Sequence, residues 1–509
     1  MPHRLASIFF RQPSNLKDFL VCSNRKMKLN KPIKLLAIFV FILFLVSIVL
    51  LTDFYGNADT YDYSNVAKFF SGDFNAKIRT SHSYLYGLLH APIVDLTDSY
   101  LVFKFSSLIF LSLIVYSVYV ISGKNKKSLW LMVFSPIVWY MAPWISPISL
   151  ASLLFLWGYY FIKKYDFTSN INYLFYCGAL LGLSWAFWDG ALFFIHLLGL
   201  SFLYNKKLSH FIGFMIFVLI GVLPRLILDQ YLFGFAFYGI IRHIMASTAI
   251  LLYGGIYGET LVSRSMSLVI LFFIPWFSYI LLKKEVFRES KKDIIFVILA
   301  LIILFMNSQI RLLLLILPIV TLLLSRNIDQ KGFNKQLTIF MIINLIVIVP
   351  YVLQMNNSIS SIQGQDIGSL IVFERNINQS FSKSVISEDL KNIGEEYPDE
   401  TFIVGNKNDN YASLANIYWG DRIKEFVSIE DYNLFLSADP IISEKKLCTH
   451  NRINERRDFC ASIILRSSFS DKTNYSDITY AITDEDKIDL QRFSLVKKYN
   501  TLYLFRKSQ

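Results

Sequence analysis

Between residues 35 and 354 long apolar runs alternate with short polar breaks, and beyond residue 354 the alternation stops. The runs are roughly 15 to 24 residues long, and a helix needs about 20 such residues to cross the hydrocarbon core of a bilayer. Read in order, they predict about eleven transmembrane helices. Span one covers roughly Leu35 to Leu51, and span two ends at Lys124, Lys126 and Lys127. Spans three and four are split by Pro143–Pro147 and end at Lys163–Lys164; spans five and six are split near Trp188–Asp189 and end at Lys206–Lys207. Span seven ends near Pro224–Arg225, and span eight ends at Lys283–Lys284. Spans nine and ten are split at Asn307–Arg311 and end at Arg326; span eleven runs roughly from Leu337 to Leu353. The expected fold class is therefore a polytopic α-helical membrane protein with a soluble C-terminal α/β domain.

That C-terminal part, 355–509, has strand patterns at Thr401–Val404, Ala461–Leu465, Thr479–Ile482 and Leu502–Phe505. Helical patterns lie around Ser387–Tyr397, Asn410–Trp419 and Asp484–Phe493.

Charge sets the orientation. The whole chain is +12, but residues 355–509 hold 19 Lys/Arg against 23 Asp/Glu, so the remainder is +16. That excess lies mostly in the basic segment 1–34 and in every second short loop, as the positive-inside rule requires. The basic balance thus reports topology and does not call for nucleic acid. It predicts a multi-pass cell-membrane protein with a cytoplasmic N-terminus. An odd number of spans puts 355–509 outside, together with two long outer loops, 52–99 and 225–264. Asn356, Asn378 and Asn474 head N-x-Ser sequons, which mildly fits exposure outside. Of four cysteines, Cys22 precedes the first span, Cys177 lies inside one, and Cys448 and Cys460 sit in the C-terminal domain, where export would permit a disulfide. The N-terminus does not read as a cleavable signal peptide, because about 30 polar and basic residues precede its first apolar run.

Ionisable groups at the outer membrane surface cost energy and need a reason. In the first outer loop, Asp59, Asp62 and Asn65–Val66 recur at helical spacing, so two carboxylates can share one face. Partial desolvation suits one of them to general-base work. The pair can instead hold a divalent cation such as Mg²⁺ or Mn²⁺, or merely solvate the loop. Arg225, Arg242, Arg264 and Arg311 are the outer-side cations; Arg pairs well with phosphate, and otherwise snorkels to the interface. Asp189, at an outer turn, lines a cavity or simply makes the turn. His82, His90 and His243 are scattered, without metal-ligand spacing, and a lone histidine is more often a hydrogen-bonded structural residue. Trp139, Tyr140 and Trp144 read as interfacial belt residues.

Asp59, Tyr63 and Ala67 form D-x-x-x-Y-x-x-x-A just after the first span. This resembles the first outer loop of GT-C membrane glycosyltransferases, the class of the dolichyl-phosphate-mannose mannosyltransferases. Gly72-Asp73 and Ser83-Tyr84-Leu85-Tyr86 look like that loop's continuation toward a juxtamembrane helix. Pro224-Arg225 through Asp229, then Tyr231, Gly234 and Tyr238, look like the class's D-x-x-x-x-G outer loop. Asn307 to Arg311 followed by Leu317-Pro318 look like its late motif, a basic residue before an L-P pair. The resemblance covers residues 35–354 only, and Thr60 stands where the class often has Glu.

The resemblance implies inverting transfer of a sugar, such as the hexose mannose, from a polyprenyl-phosphate donor to a glycan, lipid or protein hydroxyl. Asp59 would be the base and Asp62 its assistant or a metal ligand. Arg311, Arg225, Arg242 and Arg264 would be donor-phosphate binders, and Tyr63, Asp189, Asp229 and His243 would line the substrate cavity. No nucleotide loop is present, and none is needed when the carrier phosphate is the leaving group. The alternatives are a flippase for lipid-linked oligosaccharides, which the scarcity of mid-span charge disfavours, and a non-enzymatic scaffold presenting 355–509.

Overall fold

The computed structural model describes residues 46, 59–72, 83–94, 100–204, 208–241, 243, 283–306, 310–355, 388–404, 479–483 and 493–508. Span one apart from residue 46, span eight up to residue 282, Arg242, Arg264, His82, Cys22, Cys448, Cys460, the three sequons, the strand at Ala461–Leu465 and the helix at Asn410–Trp419 lie outside them.

The segment after the first apolar run carries two helices, α1 (Asp59–Ser71) and α2 (Leu85–Val94). They pack as a hairpin in which Gly87 faces Val66: a Cβ there would fall 2.6 Å from the Val66 Cβ. Helix α3 (Tyr100–Ile121) is span two. Span three is not one helix. It is broken into α4 (Lys126–Val133) and α5 (Pro136–Met141), because Pro136 has no N–H and holds the preceding Ser135 extended at ψ 126°. The following turn leads to α6 (Ile148–Thr168), which stops at left-handed Ser169; Asn170 then caps α7 (Ile171–Phe187) by accepting from the Asn172 N–H at 3.0 Å.

The Trp188–Asp189 turn joins α7 to α8 (Ala191–Tyr204), as the sequence suggests. Helix α9 (Leu208–Phe233) corrects the boundary of span seven: it runs nine residues past Pro224, so Arg225 and Asp229 belong to a helix and not to an outer loop. The proline loses one backbone bond without ending the helix, as membrane helices tolerate. After α10 (Lys284–Glu289) come α11 (Lys291–Met306), a 3₁₀ turn at Ile310–Leu312, α12 (Leu313–Asn327) and α13 (Gln330–Met355). Every residue from Leu313 to Ser325 is buried, which makes α12 a central helix.

Among the described residues, Leu101–Ile121 and Leu208–Leu232 are long and apolar enough to cross a membrane. Each carries an exposed apolar stripe at helical spacing: Leu101, Phe105, Ile109 and Leu113 on α3, and Ile212, Ile216, Leu219 and Leu223 on α9. Contiguous apolar surface of this kind is stable against lipid and costly in water. The turn aromatics are a correction: Trp139, Tyr140 and Trp144 are buried in the main core and not at its rim, with the Tyr140 and Trp144 rings 5.3 Å apart.

The C-terminal part is α/β, as its pattern predicts. A helix over 388–396 precedes β1 (Phe402–Val404), and β2 (Tyr480–Thr483), β3 (Phe493–Lys498) and β4 (Tyr503–Lys507) complete a sheet in the order β1-β2-β4-β3. The β1–β2 pair is parallel and the others antiparallel. Phe493, expected at the end of a helix, opens strand β3 instead; the rest of that predicted helix lies outside the described residues. Cross-strand pairing with Lys507 outweighs the local pattern there. Buried Asp389 locks the β3–β4 turn, accepting hydrogen bonds from the backbone N–H groups of Asn500, Thr501 and Leu502 and from the Asn500 amide and Thr501 hydroxyl.

Candidate functional site

Polar groups gather where α7 ends and α9 approaches its end. The two helices touch through glycine: a Cβ on Gly182 would lie 2.9 Å from the Gly221 Cα and closer still to the Val218 carbonyl oxygen. This close approach carries Asp189, just past α7, to Arg225, one turn beyond Gly221. The Arg225 guanidinium is 1% exposed and donates through Nη1 to Asp189 Oδ1. Its Nε and Nη2 are buried and meet no hydrogen-bond acceptor among the described residues.

Asp229 stands one turn after Arg225, so the two share a face of α9. It too is 1% exposed. Beyond α9 the chain turns at Gly234, whose φ of 71° suits glycine, and comes back over the helix. Ile240 joins Val222 and Leu226 in one apolar cluster, and the Gly239 N–H donates to Asp229 Oδ2 at 3.0 Å. His243 Nδ1 lies 3.7 Å from Asp189 Oδ2, beyond hydrogen-bond reach. Asp189, Arg225, Asp229 and His243, four residues the sequence singles out, are thus brought together.

Helix α1 adjoins this cluster. Tyr63 is buried with Ala67, Tyr86, Phe103 and Ile145 in a cluster that also takes in Phe187, two residues before Asp189. Val66 and Tyr84 pack with Leu228 and Leu232 on the same α9 segment. The Ser83 hydroxyl donates to the Ala186 carbonyl, tying the α1–α2 hairpin to the end of α7. Asp59 and Asp62 occupy the first turn of α1, at the helical spacing the sequence predicts. Asp59 is seven residues before Val66, about 10 Å along the axis. Arg311 is also buried but has a different support, the 3₁₀ turn that packs against α5.

Among the described residues, no group of three or more His, Cys, Asp or Glu is gathered to hold a metal ion. His90 is taken up structurally, with Nδ1 2.6 Å from the Tyr86 carbonyl and Nε2 2.6 Å from the Ser106 hydroxyl.

One residue escapes the sequence reading. Lys104 is 1% exposed on α3, between Phe103, which clusters with Tyr63, and Ser107, whose hydroxyl is 3.4 Å from the Tyr86 hydroxyl. The available signal was a lysine inside the apolar run of span two, where an ionisable group is costly enough to mark a site.

No family model matches the chain, and no curated protein matches it. Among solved structures, ArnT from Cupriavidus metallidurans bound to undecaprenyl phosphate is similar over 94% of this chain and 98% of its own, at 10% identity and a TM-score of 0.58. ArnT from the same organism in the apo state aligns at 9% identity over 93% and 98% of the two chains, with a TM-score of 0.48. The first of these likenesses is one of fold across nearly the whole length of both chains.

Proposed function

We propose that the chain is a membrane glycosyltransferase that moves a sugar from a polyprenyl-phosphate carrier to an acceptor hydroxyl at the outer membrane face. The acceptor is a glycan, lipid or protein, and the sugar a hexose such as mannose. The observation that carries this reading is Arg225: a guanidinium buried at the end of the bundle, beside the first-loop helix, with two nitrogens that no described residue engages. Arginine left with donors in a buried site suits an oxyanion, above all phosphate. The fold shared with a protein crystallised with undecaprenyl phosphate supports the same ligand class.

The proposed chemistry is inverting. Asp59 takes the proton of the acceptor hydroxyl, the acceptor oxygen bonds to the anomeric carbon, and the bond from that carbon to the phosphate oxygen breaks. The leaving polyprenyl phosphate keeps the electron pair, and Arg225 and Arg311 stabilise its charge. Asp62 assists the base. Arg242 and Arg264 are the remaining proposed cations, and Tyr63, Asp189, Asp229 and His243 line the cavity. A divalent cation, if one is used, would bind at Asp59 and Asp62.

The test is transfer from a radiolabelled polyprenyl-phosphate sugar pool by purified protein. Asp59→Asn should abolish transfer, and Arg225→Met should reduce it about a hundredfold or more, the scale of a lost oxyanion donor. Full activity in Asp59→Asn would move the base elsewhere; an inert wild type across common donors would refute the enzyme reading.

A further inference from the structure

Asp229 has an unexplained atom. Its Oδ2 is held by the Gly239 N–H, but Oδ1 is buried and meets no hydrogen-bond donor among the described residues. Buried carboxylate oxygens are almost always paired, so an unpaired one needs an account. It is not a loosely placed side chain. The carboxylate is gripped from the returning strap of chain, which is itself anchored by Ile240 on Val222 and Leu226.

Position along α9 supplies the account. The helix starts at Leu208, beside the basic loop at Lys206–Lys207, and runs away from it. Asp229 is therefore one turn, about 6 Å, farther from that loop than Arg225. In a polyprenyl-phosphate sugar, the phosphate has the lipid on one side and the anomeric carbon on the other. With the lipid tail in the bilayer, a group about 6 Å beyond the phosphate-binding guanidinium meets the sugar ring and not the lipid. We propose that Asp229 Oδ1 accepts a hydrogen bond from a hydroxyl of the donor's sugar, so that Asp229 recognises the sugar while Arg225 recognises the carrier. The proposal rests on the polyprenyl-phosphate reading above.

The experiment is a binding comparison on the full-length protein in lipid nanodiscs. The probes are undecaprenyl phosphate and its glucose, galactose and mannose conjugates, and melting curves check each variant's fold. Wild type should bind the bare carrier and at least one conjugate. Asp229→Asn should lose about tenfold or more in affinity for the preferred conjugate and keep its affinity for the bare carrier. Arg225→Met should lose both. If Asp229→Asn does not fold, Asp229→Glu, which retains the charge but displaces the oxygens by one methylene, should show the same split. Asp229 variants that weaken both lipids alike, or neither, overturn the proposal. A wild type that binds the bare carrier but no conjugate overturns the role of Asp229 and leaves the carrier reading standing. A wild type that binds no carrier at all brings down both.

Discussion

Replacing Gly221 with alanine tests whether the α7–α9 contact sets the polar cluster. A Cβ on Gly221 would lie 2.8 Å from both the Gly182 Cα and the Leu183 backbone nitrogen. Carbon atoms rest comfortably at about 3.5–4.0 Å, so the helices must part by roughly 0.7–1.2 Å. Neither contact is a side-chain tip that can swing aside; both are backbone. Overpacking of this kind costs about 1–3 kcal/mol. Gly213, on the same helix, is the control: its Cβ would meet only Leu174 Cδ2, at an ordinary 3.6 Å. Gly213→Ala should be neutral or gain up to about 1 kcal/mol of helix propensity. The damage should also travel, because Arg225 follows Gly221 by one turn and its Asp189 partner lies just past the end of α7, the helix that carries Gly182. Chemical denaturation of the full-length protein in mild detergent gives the stability difference, and undecaprenyl phosphate binding in the same samples gives the local consequence. The propensity gain is common to both variants, so Gly221→Ala should be less stable than Gly213→Ala by the overpacking cost, about 1–3 kcal/mol, and should bind the lipid more weakly. Equal stability of the two variants would refute the packing argument, and unchanged binding in a destabilised Gly221→Ala would refute its link to the site.

Asp189→Ala leaves the Arg225 guanidinium buried without its anion and should cost about 3–5 kcal/mol, whereas the Asp189→Ala, Arg225→Met double variant should recover most of that loss; additive losses in the cycle would show that the pair is not coupled. Asp389→Ala removes the acceptor that holds the β3–β4 turn and should cost about 3 kcal/mol, read as faster proteolytic cleavage near Asn500; an unchanged cleavage rate would count against it. Hydrogen bonds from Lys497 and Tyr499 hold the Glu396 carboxyl below its usual range. A carboxylate depressed on folding stabilises above its unfolded pKa of about 4.3, and that contribution is lost as pH falls through the lower folded value. Wild type should therefore melt slightly higher than Glu396→Gln at pH 7, by a margin that shrinks toward pH 3; a constant margin would refute the linkage. The margin is small because the pair is solvent-exposed.

The repeating apolar runs made the bundle legible, because membrane-length periodicity and basic loop ends are sequence properties. The breaks at Pro143–Pro147, Trp188–Asp189 and Asn307–Arg311 fall where the helices do end. Where the reading failed, the deciding contact was distant in sequence. Pro224 looks like a helix stop, but α9 continues because its neighbours hold it, through Leu226 against Ile240 and Leu228 beside Val66. Trp139, Tyr140 and Trp144 have belt composition, yet α5 is drawn into the core, where α13 and the 3₁₀ turn pack on it. Of the cluster, the residues Asp189, Arg225, Asp229 and His243 were legible as polar positions at the ends of apolar runs. The ion pair between Asp189 and Arg225, 36 residues apart, depends on two glycines meeting across helices, which no local pattern reports.

Those glycines also bear on why the polar cluster sits where it does. At Gly182 and Gly221 the helices meet backbone to backbone, leaving no room for a side chain between them. Less than two turns farther on, α7 has ended and the chain has turned at Trp188–Asp189, while α9 continues alone to Phe233. The space opened by the end of one helix is closed again by the strap through Gly239 and by the α1–α2 hairpin tied to Ala186. The result is a pair of charges kept from water but near the helix ends, away from the middle of the bundle. On the proposed reading a carrier phosphate, whose tail fixes it at the membrane surface, arrives at that same depth. Buried donors on Arg225 would then need no rearrangement of the bundle to meet it, which is what preorganised stabilisation of a leaving phosphate requires.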